Sequence, residues 1–275
     1  MTNLSTLLEY LDEDINEAAK SVRESISEKL AAYTSDNYII LYNPQTALAN
    51  IQSKLEQGYP IQDSISFEGA IVGEIFIEHN DSSQAYEVKQ SVAISGYGPL
   101  LYDLTLSHIY PNYLMSDRNS VNNNAKKIWK FYYNNRPDVS KVIISPISDD
   151  SVPMNFWQKY PSLTSLISKV NQLESDYEDS IYHQESPQKS AKLQDKLNNT
   201  KLKLNTILSK IPEAHKYKIK SPKGLTALKN NHLRFLQRIP SLIPKQKLYK
   251  GFNIKEAAEE NLYQEAETFF GEMYY

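Results

Sequence analysis

The stretch from Ala70 to Asn135 constrains this chain more than any other, because its hydrophobic period changes there in a fixed order. Phe67 to Ile77 contains Ala70-Ile71-Val72-Gly73-Glu74-Ile75-Phe76-Ile77, a β-branched run too short for an ordinary helix, and His79-Asn80-Asp81-Ser82-Ser83 supplies a turn. Tyr86 to Ile94 then reads as a strand, Gly96-Tyr97-Gly98-Pro99 as a turn opening a helix over Pro99 to Ile109, and Tyr113-Leu114-Met115 as a short strand. Val121, Ala125, Ile128, Trp129, Tyr132 and Tyr133 keep helical spacing, with Asn119 or Ser120 as the N-cap. Arg136-Pro137 stops that helix, and Val139 to Ile144 returns as a strand with near-continuous apolar character. Helices threaded between strands make one α/β unit over roughly residues 36 to 147.

Helical signals flank this unit. Leu4, Leu7, Leu8, Leu11, Ile15 and the apolar residues that follow to Leu30 recur every three or four positions, so residues 3 to 32 read as one or two amphipathic helices. Tyr38 to Tyr42 reads as a buried strand stopped by Asn43-Pro44, and Ala47 to Gln57 as a helix ending at Gly58. From Pro161, a stripe through Leu163, Leu166, Val170 and Leu173 and a second through Leu193, Leu197, Leu204 and Leu208, separated by Ser186-Pro187, predict an antiparallel helical hairpin. That hairpin either packs on the α/β unit or projects as an arm. Two further helical patches lie around Leu225 to Ile239 and Ile254 to Tyr274. The expected organisation is an N-terminal helical segment over 1–35, an α/β core over 36–150, a helical hairpin insertion or arm over 151–215 and a helical C-terminal region over 216–275.

Composition removes several function classes. Hydrophobic residues at 40%, charged residues at 23% and a net charge of -3 give neither a membrane span nor the basic excess of a general nucleic-acid binder. With no cysteine there is no disulfide framework and no thiolate chemistry. Met1 to Leu11 has no basic leader and reads as an acidic helix, so a cytoplasmic protein is expected. The five histidines are scattered without metal-ligand spacing, and there is no Gly-x-Ser-x-Gly elbow or Walker-type loop, so no metal and neither hydrolase nor nucleotide triphosphatase chemistry is expected.

The chemical signal is the glycine turn. A strand that ends in a turn from which a helix begins brings unpaired N–H groups and the positive end of the helix dipole to one point, which suits a phosphate. Gly96 and Gly98 permit close approach and Pro99 fits the first helical turn. The second polar constellation, Ser116-Asp117-Arg118, follows a short strand where α/β loops carry function; it reads equally as an ion pair and a helix cap.

The phrase from Ala85 through Gly96-Tyr97-Gly98-Pro99-Leu100-Leu101-Tyr102-Asp103, with the hairpin before it and the strand and helix after it, resembles the core of GNAT-type N-acetyltransferases over somewhat less than half of the chain. The resemblance implies a mixed sheet with flanking helices and acetyl-coenzyme A as the acetyl donor, its pyrophosphate held by Ile94, Ser95, Gly96, Tyr97, Gly98, Pro99 and Leu100. It further implies an amine acceptor, a carboxylate base and a tyrosine acid. Glu74, Glu78 and Glu87 are the candidate bases, with Glu87 preferred in the strand before the turn, and Tyr132 and Tyr133 are the candidate acids. Where the family usually has Arg or Gln, three residues before the first glycine, this chain has Ala93.

The longer phrase through Ser116-Asp117-Arg118, Trp129 and Arg136-Pro137-Asp138-Val139 resembles GNAT-like proteins of bacteriophage genomes. The 20 tyrosines and only 8 glycines fit an AT-rich genome. Two expectations follow. One is an acetyltransferase acting on an amine of a protein, a small molecule or a modified base. The other is a non-catalytic GNAT-like virion, assembly or host-interaction protein, whose helical arms dock partners or further copies and whose location is the host cytoplasm or the virion.

Overall fold

The computed structural model describes residues 30–117, 121–144, 160–184, 186–222, 224–243 and 252–274. It is a mixed α/β fold built on one seven-stranded sheet, and its elements follow from local sequence. β1 (Ala31–Thr34) and β2 (Tyr38–Tyr42) form a hairpin. Pro44 then starts α1 (Pro44–Glu56), whose first N–H groups are capped by Asn43 Oδ1 at 2.9 Å from Gln45 N and 3.3 Å from Thr46 N. After the short α2 (Ile61–Ser64) come β3 (Ile71–Asn80), β4 (Ala85–Ala93), α3 (Gly98–His108), β5 (Tyr113–Met115), α4 (Asn123–Asn135) and β6 (Val139–Ile143). Two long helices, α5 (Pro161–Tyr182) and α6 (Pro187–Leu208), precede β7 (His215–Ile219), and α7 (Leu225–Leu242) and α8 (Ile254–Tyr274) follow it.

The strand order is β1-β2-β3-β4-β5-β7-β6. β4 and β5 are parallel and joined through α3; the other neighbouring pairs are antiparallel. Alternation along β2 shows how the layers form, because Ile39 and Leu41 enter one core and Ile40 and Tyr42 the other. The first core lies between the sheet and α3 and α4, around Leu101, Leu104, Ile128 and Trp129. The second lies under α1, α7 and α8, around Ile51, Phe235 and Leu262.

Several expectations change. Residues 3–29 of the expected N-terminal helices lie outside the described residues, whereas Ala31 and Ala32 belong to an edge strand and not to a helix. β6 was expected as a buried strand but is the opposite edge, with Val142 43% exposed. β7 was not anticipated. It inserts between β5 and β6, its alternating His215, Tyr217 and Ile219 turned inward and Lys216 and Lys218 half-exposed, and the Tyr217 ring stacks on Trp129 at 5.3 Å. The sheet therefore draws strands from outside residues 36–150, and the α5–α6 hairpin is a long connection between two paired strands, β6 and β7. The cap of α4 is Asn122, whose Oδ1 accepts from Ala125 N at 2.8 Å; Asn119 and Ser120 lie outside the described residues.

Among the described residues no helix is long and apolar enough to cross a membrane, and no group of three or more His, Asp or Glu side chains could hold a metal ion.

Candidate functional site

The site begins where β4 and β5 part. The parallel ladder covers only Ala85–Glu87 against Tyr113–Met115, so β4 runs on from Val88 to Ala93 without its β5 neighbour. Outside the carboxyl ends of strands that diverge in this way, α/β sheets leave a crevice. Here the crevice is a cavity of about 470 Å³, within the range of small-molecule sites. Its walls are the end of β4, the glycine turn, the start of α3 and the start of α4. A small inner cavity of about 40 Å³ shares Ser91, Tyr102, Asn122 and Ala125 with it and reaches Asp117. Together they form one groove running along β4 from the glycine turn toward β5.

A β-bulge decides which side chains face this groove. Phe76 pairs with Gln90 and Ile77 with Val88, which leaves Lys89 as the extra residue in β4. Before the bulge, Tyr86 and Val88 point into the α3 core; after it, Ser91 and Ala93 do. Ser91 Oγ lies 3.0 Å from the Tyr102 hydroxyl, so two hydroxyls meet at the junction of the outer and inner parts of the groove.

The outer end favours negative charge. Gly96 has φ 101, in the left-handed region where a side chain costs energy, and this bend delivers the chain into α3. No side chain caps α3. Tyr97 N donates to Ile94 O and Leu101 N to Tyr97 O, and Pro99 has no N–H, so Gly98 and Leu100 carry the N–H groups not used by the helix itself. Gly98 is required by neither strain nor crowding: a Cβ there would meet only Ile128 Cδ1, at 3.8 Å, and both residues line the cavity. A side chain at position 98 would fill the cradle. The N-terminus of α4 opens on the same space through Asn122 and Asn124, with Lys127 beside them. Two positive helix ends and a lysine thus border one cavity.

The expected site residues divide accordingly. Ile94, Ser95, Gly96, Gly98 and Pro99 line the cavity, whereas Tyr97 packs against the core and Leu100 is buried within it. Glu87 is buried on the face of β4 away from α3, with Lys89 Nζ 3.0 Å from its carboxylate and Glu78 3.7 Å from the same ammonium. Glu74 also faces away, since its neighbour Gly73 is the residue that abuts Ala93 and Leu101. It is 4% exposed with Oε2 lacking a hydrogen-bond partner, and burial, then the nearby charge of Glu267, push its carboxyl up to about 7.

Tyr132 and Tyr133 do not line the groove; they border a separate cavity with Arg136 and Lys141. The Tyr132 hydroxyl donates to Asp103 Oδ1 at 2.7 Å, and Arg136 Nη1 donates to the same oxygen at 2.7 Å. Burial and the Asp103 charge hold that phenol well above its ordinary value, so it is a structural donor. Tyr133 donates to Ser209 O, tying α4 to the base of the α5–α6 hairpin. Asp117 lines the inner groove, while Arg118 lies outside the described residues. Tyr102 escaped the sequence reading because it sits in the apolar run of α3, where the hydroxyl is the only signal.

Compared with known proteins, the chain matches no family model, no curated protein and no solved structure. The fold and groove alone define the class: a mixed α/β protein with an anion-favouring cleft between parting parallel strands.

Proposed function

We propose that the chain is a GNAT-like N-acyltransferase that holds acetyl-coenzyme A in this groove and passes the acetyl group to an amine. The observation that carries the reading is the parting of β4 from β5 after Glu87, which leaves a cleft that ends at a glycine turn bordered by two helix N-termini. The residues present fit such a ligand: the cradle at Gly98 is open, and the Gly98 N–H and Lys127 suit a pyrophosphate. Bound acetyl-coenzyme A would supply an activated acyl carbonyl and a thiolate leaving group.

The chain's own groups do the rest. Ser91 and Tyr102 sit where the groove narrows, so the Tyr102 hydroxyl is the proton donor for the leaving sulfur. Asp117, in the inner groove, is the carboxylate placed to accept the proton of the incoming ammonium, ahead of Glu87 on the reverse face of β4. The apolar walls formed by Val88, Val121 and Trp129 limit water at that end.

Thermal melting with acetyl-coenzyme A, coenzyme A and an unrelated nucleotide tests the reading, because selective binding raises the melting temperature. A selective rise is expected for the native chain and its loss for Gly98→Asp, which places bulk and negative charge in the cradle. Gly98→Ala, whose Cβ meets nothing closer than 3.8 Å, controls for folding. No rise at millimolar ligand would refute the reading and leave the non-catalytic one, which Ala93 favours by offering no basic side chain at the turn.

A further inference from the structure

β6 is an open edge of the sheet, and hydrogen bonds beyond its two ends fix which of its backbone groups are free. Ile144 N donates to Ala214 O and Lys220 N to Asp138 O, both at 2.9 Å, so Asp138 and Ile144 bond toward β7. The antiparallel register pairs Ser140 with Lys218 and Val142 with Lys216, and alternation makes these the residues of β6 that bond to β7. Val139, Lys141 and Ile143 therefore turn their backbone groups outward. Val139 N is satisfied by Arg136 O at 3.1 Å. The Val139 carbonyl, and the N–H and carbonyl groups of Lys141 and Ile143, have no partner among the described residues. Beside them lies a cavity of about 460 Å³ at the end of α4, lined by Val139 and Lys141 and not by Ser140 or Val142. Asn135 borders the same cavity, and its buried Nδ2 also lacks an acceptor.

The edge is positively charged. Lys141 Nζ donates to Tyr133 O, Lys220 Nζ to Pro137 O, and Lys218 stands over the Tyr113 ring. Among the described residues none of the three reaches a carboxylate. Asp138, just before the strand, is held by Arg136 Nε at 2.8 Å and Nη2 at 2.9 Å. Val142, 43% exposed, adds an apolar side chain on the face of the strand opposite Lys141.

We propose that β6 is a docking edge for an extended, acidic segment of a partner polypeptide, which joins the sheet as a further strand. Another backbone supplies donors and acceptors in the alternation that Lys141 and Ile143 present. An acidic residue opposite Lys141 and an apolar one opposite Val142, adjacent positions of one strand, meet the two side chains that flank the edge. The segment's carbonyl or carboxylate oxygens also supply the acceptor that Asn135 Nδ2 lacks. A lysine on an edge strand guards against pairing with neutral or basic strands, so the barrier it sets is lowest for an acidic one. A second copy of the chain is the poorer occupant, because it would bring its own Lys141, Lys218 and Lys220 to the same edge and double the positive charge there. The inference does not depend on the chemistry assigned to the groove.

Fluorescence anisotropy of the full chain with a labelled peptide of about seven residues, alternating aspartate and valine, tests it. Binding is expected at low salt and should weaken as salt rises. The same peptide with lysine in place of aspartate, and the aspartate peptide with its backbone nitrogens methylated, should each bind at least about tenfold more weakly. Lys141→Pro should weaken binding by a similar factor and by more than Lys141→Gln, which removes the charge alone, because proline there removes an outward N–H and no bond to β7. Amide hydrogen exchange reads the same contact on the native chain: Ser140 and Val142 should be protected with or without peptide, and Lys141 and Ile143 only with it. No binding, equal binding of the aspartate and lysine peptides or of the methylated one, or Lys141 and Ile143 amides left unprotected by the peptide overturns the proposal. So does protection of those two amides in a dimer without peptide, which would make a second copy the occupant.

Discussion

Glu74→Gln should stabilise this protein at neutral pH and above. Glu74 is 4% exposed on β3, facing α8, with Oε2 lacking a hydrogen-bond partner, and burial followed by the charge of Glu267 raises its carboxyl from 4.5 to about 7. The folded state therefore binds this proton more tightly than the unfolded one. The associated stability is complete below the unfolded value of 4.5 and is lost as pH rises through about 7. The gap between 4.5 and about 7 amounts to about 3 kcal/mol at 1.36 kcal/mol per pH unit once the group is fully ionised. That is as large as the gain from burying a whole leucine or isoleucine side chain, about 1.5–3 kcal/mol, so ionising this one group cancels a core residue. A glutamine keeps the shape and cannot ionise. Its advantage over the native chain should grow by about 2–3 kcal/mol between pH 5 and pH 8.5. For a chain of this size that is roughly 5–10 °C in melting temperature. Urea denaturation at a series of pH values gives the curve directly. Glu267→Gln should reproduce a smaller part of the effect, because its charge is the lesser of the two causes. Parallel stability curves for native protein and Glu74→Gln would refute the reasoning, since a carboxylate that ionises without cost cannot be buried against α8 as described.

Three further substitutions separate the groove from the scaffold. Tyr102→Phe should leave binding of acetyl-coenzyme A intact and lower the turnover of an amine acceptor by about 10²-fold, with Asp117→Asn acting on the same step, measured as release of free thiol. Tyr132→Phe removes a buried donor to Asp103 and should cost about 1–3 kcal/mol of stability by denaturant titration, without changing ligand binding in the thermal assay.

Local elements were readable because period follows geometry. The strand at Tyr113–Met115 and the helix at Ile254–Tyr274 fall at the positions their spacing indicates, and Pro44 marks the start of α1 as it marks the end of β2. What periodicity could not give is which strands become neighbours. His215-Lys216-Tyr217-Lys218-Ile219 alternates cleanly, yet the whole arm separates it from β6, and nothing local says that it fills the space between β5 and β6. The bulge at Lys89 hides the site in another way. Strict alternation along β4 would put Glu87 and Ser91 on one face, and the extra residue sends them to opposite faces. The glycine turn was legible as the bend that opens a helix, because its geometry lies in consecutive residues. Which tyrosine borders the groove was not legible, because twenty tyrosines share one letter, and only contacts separate Tyr102, beside Ser91 in the groove, from Tyr132, committed to Asp103.

The same geometry bears on Ala93, the departure that most weakens a resemblance-based reading. A charged side chain donating to a phosphate contributes about 1.5–3 kcal/mol, and its absence would matter if one helix end were the only source of positive potential. Each helix N-terminus contributes about 0.3–1 kcal/mol toward an anion, and up to about 2 kcal/mol where it is partly buried. Here the starts of α3 and α4 border one cavity, and Lys127 stands on the first turns of the second. Their sum approaches what an arginine would supply. Under the proposed reading, the second helix end and Lys127 together take over the work of the missing side chain, and the share carried by fixed backbone dipoles loses no side-chain entropy on binding.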